Sequence, residues 1–339
     1  MVDGETVHID ASLVRADVSW ESLTERHADQ VLNDNEDDTP EALQRGRPKS
    51  RTKKPKRYSP TDPEATMTTS CKQYRMEPCY KQHTAVDDRA GVIVDVAVTT
   101  GEASEGRQLP EQIERIESNT GKKIGIVTAD GGYAHGRNYA FLESKDIKAI
   151  IPPKAAGGRP STRIPSRRFK YDGRHKLVRC PTGKTLKQSS QNKHGWTYRA
   201  KTSDCRACPL RSTCVSPTAT VRTIMIGEGY EALIRARRAH VCWDRTTRNL
   251  YARHRWRAEG VHGEAKTQHG LRRAARRGIW NVSIQVYLTA LVMNLKRLAA
   301  FLRVLSFLCC RMPANLRMST RLYGNYQPSS FARLTLIYE

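Results

Sequence analysis

The spacing of apolar residues along this chain changes several times, and each change predicts a new element. In ETVHIDASLVRA (residues 5–16) Val7 and Ile9 alternate with His8, Asp10 and Ser12, the two-residue period of a short strand with one polar face. KQHTAVDD (81–88) and GVIVDVAVTT (91–100) read as two further strands joined by a turn near Arg89, Ala90 and Gly91. LPEQIERIESNTGK (109–122) then places Leu109, Ile113 and Ile116 on one helical face, and Gly121 ends the helix. KIGIVTAD (123–130) is nearly continuous in apolar residues, as a central strand buried on both faces requires. GRNYAFLESKD (136–146) predicts a helix and IKAIIPP (147–153) a strand. The order β-β-β-α-β-α-β describes an α/β mixed sheet with helices packed on it.

Outside this region the pattern weakens. Residues 1–28 hold the first strand, and 29–58 form a charged insert. There DQVLNDNEDDTPE gives way to RGRPKSRTKKPKR, in which eight of thirteen residues are Lys or Arg, a composition expected to stay disordered. The sheet core spans 59–153. Residues 154–228, rich in Gly, Pro, Arg and Cys, predict an inserted subdomain, and 229–311 a helical part. In that part Leu288, Leu291, Leu295, Leu298 and Leu302 recur at three- and four-residue steps, which predicts a core-facing stripe. The tail, 312–339, carries no pattern.

Charge narrows the partner. A formal net charge of +24 from 58 basic and 34 acidic residues implies a polyanion, most simply double-stranded DNA. No apolar run reaches membrane-spanning length, because Lys296, Arg297 and Arg303 interrupt the longest one, so no membrane partner is expected. The opening MVDGETVHID lacks the basic and apolar blocks of a secretory signal, and nine cysteines cluster locally, which together predict a reducing cytoplasm.

Three acids in this basic chain then stand out. Asp10 lies mid-strand on the polar face, and Asp130 ends the apolar strand before Gly131-Gly132-Tyr133, where strand ends favour catalytic groups. Glu259 sits in YARHRWRAEGVHGEAK (251–266). At the helical period Arg255, Glu259, His262 and Lys266 share one stripe, while Glu264 points elsewhere. Taken singly, Asp10 is an ordinary polar-face residue, Asp130 a turn-starter, and Glu259 a salt-bridge partner of Arg255. Brought together, three carboxylates repel one another unless divalent cations sit between them, and hard oxygen donors suit Mg²⁺ or Mn²⁺. Two such ions roughly 3.5–4 Å apart can activate the attacking oxygen and stabilise the leaving oxygen of a phosphodiester.

With these residues in view, the chain resembles the DDE transposases of bacterial insertion sequences. HIDASLVRADVS is similar to that family's first-aspartate strand, SPTDPEA (59–65) to the segment before its next hairpin, and IVTADGGYAHGRN to its second-aspartate motif. RWRAEGVHGEAKTQHGLRRAARRG, followed by Asn294-Leu-Lys-Arg297, is similar to the glutamate helix, with Arg255, Glu259 and Lys266 in its Arg-x3-Glu-x6-Lys pattern. Gly131 stands where lysine is usual. Ala252 stands where a tyrosine is usual, with Tyr251 one position away. The resemblance implies an RNase H-like fold and Asp10, Asp130 and Glu259 as catalytic metal ligands. It also implies Mg²⁺-dependent cleavage at transposon ends, strand transfer into target DNA, and a homodimer associated with the bacterial nucleoid. Relatives carry a helical domain before the first aspartate, and this chain begins almost at that strand, so the usual N-terminal domain is expected to be missing. A remnant that binds DNA without cutting it, and a simple RNase H-like nuclease, use the same residues.

Other signals are local. Arg272, Arg273, Arg276 and Arg277 make a dense basic patch expected to contact phosphates with Arg255 and Lys266. Arg45-Gly46-Arg47-Pro48 matches the core of an AT-hook, against the plainer reading of nonspecific phosphate contact. Cys180, Cys205, Cys208 and Cys214 give C-x24-C-x2-C-x5-C, either a structural Zn²⁺ set or four reduced thiols. Trp256 and Trp280 are expected as packing groups, and His135, His254, His262 and His269 as surface or core residues.

Overall fold

The computed structural model describes residues 4–26, 56–69, 73, 75–154, 163–192 and 195–311. Arg45, Arg47, most of the charged insert and the tail lie outside the described residues. Two compact units divide the chain, Met1–Leu291 and Val292–Glu339.

In the first unit the strands are β1 (Thr6–Arg15), β2 (Thr24–Arg26), β3 (Lys56–Tyr58), β4 (Thr66–Thr68), β5 (Glu77–Asp87), β6 (Ile93–Thr100), β7 (Ile126–Ala129) and β8 (Lys148–Ile150). Helix α1 (Glu105–Thr120) joins β6 to β7, and α2 (Gly136–Ser144) joins β7 to β8. The main sheet runs β4-β5-β1-β7-β8, with β6 also paired to β5. β5 is antiparallel to β1 and β6, whereas β7 is parallel to both β1 and β8. This mixed α/β sheet has the expected order of long elements and is consistent with an RNase H-like fold. β2 and β3 form a separate two-stranded ribbon.

One face of the sheet is closed by apolar packing. Val7, Ile9, Val127 and Ala129 meet Leu109, Ile113 and Ile116 of α1 and Tyr139 and Leu142 of α2, all essentially buried. Each fully buried Leu or Ile contributes about 1.5–3 kcal/mol. The helix stop at Gly121 forms as its sequence predicts: Gly121 takes a left-handed conformation (φ 64°) and its N–H donates to Glu117 O. α1 begins at Glu105, however, four residues before the apolar stripe starts, with Pro110 inside it.

Beyond β8 the chain forms an antiparallel sheet from β9 (Lys170–Asp172), β10 (Leu177–Arg179), β11 (Thr185–Asn192), β12 (Gly195–Arg199) and β13 (Thr223–Gly227). Phe169, Val178, Leu186, Tyr198 and Ile224 fill its own core. Helices α3 (Tyr230–Val241), α4 (Arg245–His254), α5 (Gly260–Gln268) and α6 (Ile279–Arg311) follow. A π-helical turn, Arg255–Glu259, links α4 to α5.

The stripe expected on α6 is not buried. Leu288 and Leu291 are 56% and 54% exposed, and beyond Val292 the side chains of Leu295, Leu298 and Leu302 are 39–52% exposed. Val282, Val286 and Ala290 form the buried side instead. Both series are apolar at helical spacing, so periodicity alone could not choose between them. Trp280 is likewise exposed, against the expectation of a packing group.

SPTDPEA ties the start of α6 to the sheet. Asp62, almost fully buried, accepts a short hydrogen bond from the Tyr80 hydroxyl. Gly278 N–H donates to both that hydroxyl (3.0 Å) and Asp62 Oδ1 (3.3 Å), and Ile279 N–H donates to Glu64 Oε2 at 2.7 Å. Removing one partner of a buried hydrogen bond leaves the other unsatisfied, at a cost of about 1–3 kcal/mol. Tyr80→Phe is therefore expected to lower unfolding free energy by about that amount in urea denaturation. An unchanged midpoint would show that the clasp contributes nothing.

Candidate active site

The strand register brings the two aspartates together. Parallel pairing sets Ile9 of β1 beside Ala129 of β7, so Asp10 and Asp130 are the next residues on adjacent strands. Asp130 is also the turn-starter of the plainer reading: its Oδ1 accepts Gly132 N–H at 2.7 Å and caps the short turn Gly131–Tyr133. A Cβ at residue 132 would lie 2.5 Å from Glu105 Oε2 and 2.7 Å from Asp130 Oδ1, so both carboxylates would have to shift to admit a side chain. Glu105, in the first turn of α1, is thus a fourth acid at the site. It escapes the sequence pattern because the apolar stripe begins later than the helix.

Asp10, Asp130 and Glu259 line one open pocket of about 330 Å³, with Tyr251, Ala252, His254 and Arg255. The expected single stripe on the glutamate helix is not formed. The π turn adds a residue to one helical turn and breaks the 3.6-residue register. Arg255 and Glu259 stay outward, with side chains 85% and 61% exposed and a 3.5 Å salt bridge between them. His262 and Lys266 turn inward. His262 is buried, neither ring nitrogen has a hydrogen-bond partner among the described residues, and Nε2 lies 3.9 Å from Asp10 Oδ2. Burial and Lys266 push its pKa down to about 4, so it is neutral and this is not an ion pair. Trp256, expected to pack, is exposed, with the Arg257 guanidinium 4.1 Å above its ring.

A second, wider pocket of about 600 Å³ shares Asp10 and Asp130 and adds Glu105, Arg15, Arg75, Lys81, Lys266 and Arg272. The expected phosphate contacts therefore divide. Lys266 and Arg272 face the acidic site and Arg255 lines its neighbour. Arg273 pairs with Asp17 at 3.5 Å, Arg277 Nε donates to Asp17 O, and Arg276 is exposed.

The polar face of β1 is closed by hydrogen bonds. His8 Nε2 lies 2.9 Å from Asp88 Oδ1, and His8 Nδ1 lies 2.6 Å from Thr128 Oγ1 on β7. Thr128 Oγ1 lies 2.9 Å from His254 Nδ1 at the end of α4. Arg253 completes the circuit with a 2.9 Å ion pair to Asp88 Oδ2. Scattered histidines gave no sequence signal for this network.

Burial, then the charges of Asp130, Glu105 and Glu259, raise the Asp10 pKa to about 7. Asp130 is raised as well, by partial desolvation and by Glu105, although it stands exposed at the pocket mouth. Carboxylates that raise one another's proton affinity are a donor set suited to a hard divalent cation. Among the described residues, no three His, Cys, Asp or Glu side chains stand close enough to form a ready-made metal site. The same holds for Cys180, Cys205, Cys208 and Cys214. They line one small cavity of about 30 Å³ as free thiols but do not close into a ligand set.

Residues 179–299 match the family model described as a transposase DDE domain. The match covers the Glu259 helix and the basic patch after it, and supports recognition of the chain as a DDE transposase. Asp10 and Asp130 lie outside it and rest on the geometry. No curated protein and no solved structure matches the chain.

A carboxyl whose folded pKa exceeds its unfolded value favours the folded state at low pH and loses that contribution as pH rises toward the folded pKa. For Asp10 the window is pH 4 to 7, at about 1.4 kcal/mol per tenfold change in proton affinity. Asp10→Asn should therefore raise the Tm of the metal-free protein at pH 8, and the gain should shrink toward pH 5. A gain that is flat with pH would refute the raised proton affinity of Asp10.

Proposed function

We propose that this chain cleaves double-stranded DNA at the ends of a mobile element and joins the freed 3′-hydroxyl to target DNA. The observation that supports the reading is that Asp10, Asp130 and Glu259, far apart in sequence, line one open pocket of a chain with net charge +24. Asp10, Asp130 and Glu259 would hold a divalent cation, Mg²⁺ or Mn²⁺. Such a cation supplies a Lewis acid for the phosphodiester and offsets the crowded carboxylate charge.

The chain's own cations deliver the strand. Lys266, Arg272, Arg15 and Arg75 line the wider pocket beside the acids, where phosphates on either side of the cut would lie. Glu259 has a second partner, Arg255, so binding requires it to leave that salt bridge. An exposed i,i+4 pair is worth only about 0.3–0.5 kcal/mol, a small cost beside the attraction of a divalent ion. No helix among the described residues is long and apolar enough to cross a membrane.

The geometry of Glu259 also favours a second reading. As it stands, Glu259 is a surface salt-bridge residue, and a protein that kept it so would bind DNA without cutting. Incubating a labelled duplex taken from the DNA flanking the reading frame with Mg²⁺ or Mn²⁺ separates the two. Wild type should nick it and produce joined products, and Glu259→Gln should lower the rate by at least a hundredfold while still binding. If both proteins bind and neither cuts, the binding-only reading stands. Nicks without joined products would indicate a simple nuclease. Arg272→Ala is expected to reduce the slope of log affinity against log salt by about one. An unchanged slope would remove Arg272 from the phosphate contacts.

A further inference from the structure

The exposed series on α6 repeats with a period of seven. Leu288, Leu295 and Leu302 stand seven residues apart, and so do Ile284, Leu291 and Leu298, the two sets interleaved at steps of four and three. A strict repeat of this kind is the seam of a helix that packs lengthwise against another helix. The six side chains are 39–56% exposed, so the described residues do not supply that second helix. Tyr287, Val292 and Phe301 flank the seam and are exposed as well. These nine side chains together present roughly 800 Å², about what one partner gives to a stable interface and more than the largest apolar patch of a typical monomer. Between Ile284 and Leu302 no charged residue stands on the seam or beside it. Lys296 and Arg297 fall on the far side of the helix, the side that nearer its start buries Val282, Val286 and Ala290.

We infer that α6 is an association surface whose partner is α6 of a second copy of this chain, the two seams packed as a short coiled coil. Charge and length both select that partner. The seam is uncharged, so it draws no partner by opposite charge, and a second chain of net charge +24 meets it without bringing like charges together at the contact. From Ile284 to Leu302 the seam runs about 27 Å at a rise of 1.5 Å per residue, and covering it takes an unbroken helix of that length. A second α6 has that length and carries the matching repeat. The chain's own tail does not, because Pro313, Gly324 and Pro328 divide residues 312–339 into stretches of at most eleven residues. The inference concerns assembly and does not rest on the proposed DNA chemistry.

Sedimentation of the full chain, freed of nucleic acid and held in high salt to screen its repulsion, tests this. Wild type at micromolar concentration should sediment at twice the 38.3 kDa of one chain. Leu291 and Leu295 lie at the middle of the seam, where they meet their counterparts whether the two helices run parallel or antiparallel. Leu291→Lys combined with Leu295→Lys should weaken the dimer by about a hundredfold, because like charges are then forced together in the contact. Leu291→Glu combined with Leu295→Glu should do the same. Both side chains are exposed in the single chain, so the helix content of each variant should match wild type. Mixing the two variants should restore the dimer, which shows at once that both are folded and that the seam pairs with itself. A monomeric wild type overturns the inference, whether anionic vesicles or the tail then prove to cover the seam. A dimer that survives both double substitutions overturns it too, as do variants that stay apart when mixed.

Discussion

Negative charge at the junction of β1 and β7 is the constraint to which much of the site answers. The register that packs Ile9 against Ala129 leaves no choice about where Asp10 and Asp130 go. Two carboxylates about 5 Å apart at an effective dielectric near 20 repel by about 3 kcal/mol. Nearby cations could offset this, yet several are committed to other acids: Lys81 to Glu105 at 3.2 Å, Arg253 to Asp88, Arg255 to Glu259. Burial first, and after it the charges of Asp130, Glu105 and Glu259, raise the proton affinity of Asp10. On the proposed function, this spot would take a ligand of positive charge, beside the cations Lys266 and Arg272 that line the same pocket.

The two faces of β1 are closed by different physics. Val7 and Ile9 meet α1 and α2 by apolar contact, which is strong but tolerant of small rotations. His8 bonds to Thr128 at 2.6 Å, and Thr128 to His254 of α4 at 2.9 Å, contacts that are directional. The helix that leads into the turn carrying Glu259 is thus seated on the more directional contact. Immediately past His254 the backbone relaxes into a π turn, a feature frequent at functional sites because it re-aims the residues that follow.

Much of the main sheet was legible because its strands differ in period. Val7 and Ile9 against His8 and Asp10 marked a half-polar strand, and the unbroken run to Ala129 marked a buried one. Asp10 and Asp130 followed from those patterns, and Gly121 from its conformational freedom. The misreadings have physical causes. Glu105 was hidden because a helix can start a full turn before its apolar stripe. α6 is apolar around much of its circumference, so the leucine series looked like a core face when it is an exposed one. The π turn leaves no mark in hydrophobic spacing, and with it went the expected alignment of Arg255 and Glu259 with His262 and Lys266. His8, Thr128 and His254 form a network only through strand pairing and helix docking, contacts with no local signature.

The basic patch and the acidic pocket belong to one hydrogen-bonded unit. Arg15, at the far end of β1 from Thr6, donates its N–H to Arg272 O at 3.2 Å and accepts Ala274 N–H at 2.7 Å, so the segment after α5 continues the edge of the strand that carries Asp10. The Asp62–Tyr80 clasp at Gly278 holds the other end of that segment. At about 3.3 Å per residue, Arg15 lies roughly 17 Å from Asp10 along the strand. That length matches about five nucleotide steps of one DNA strand at roughly 3.4 Å each. On the proposed function, this strand would set how far from a phosphate contact the DNA backbone meets the carboxylates. SPTDPEA begins at Ser59, far from both Asp10 and Glu259 in sequence, yet it anchors one end of the segment that carries Arg272.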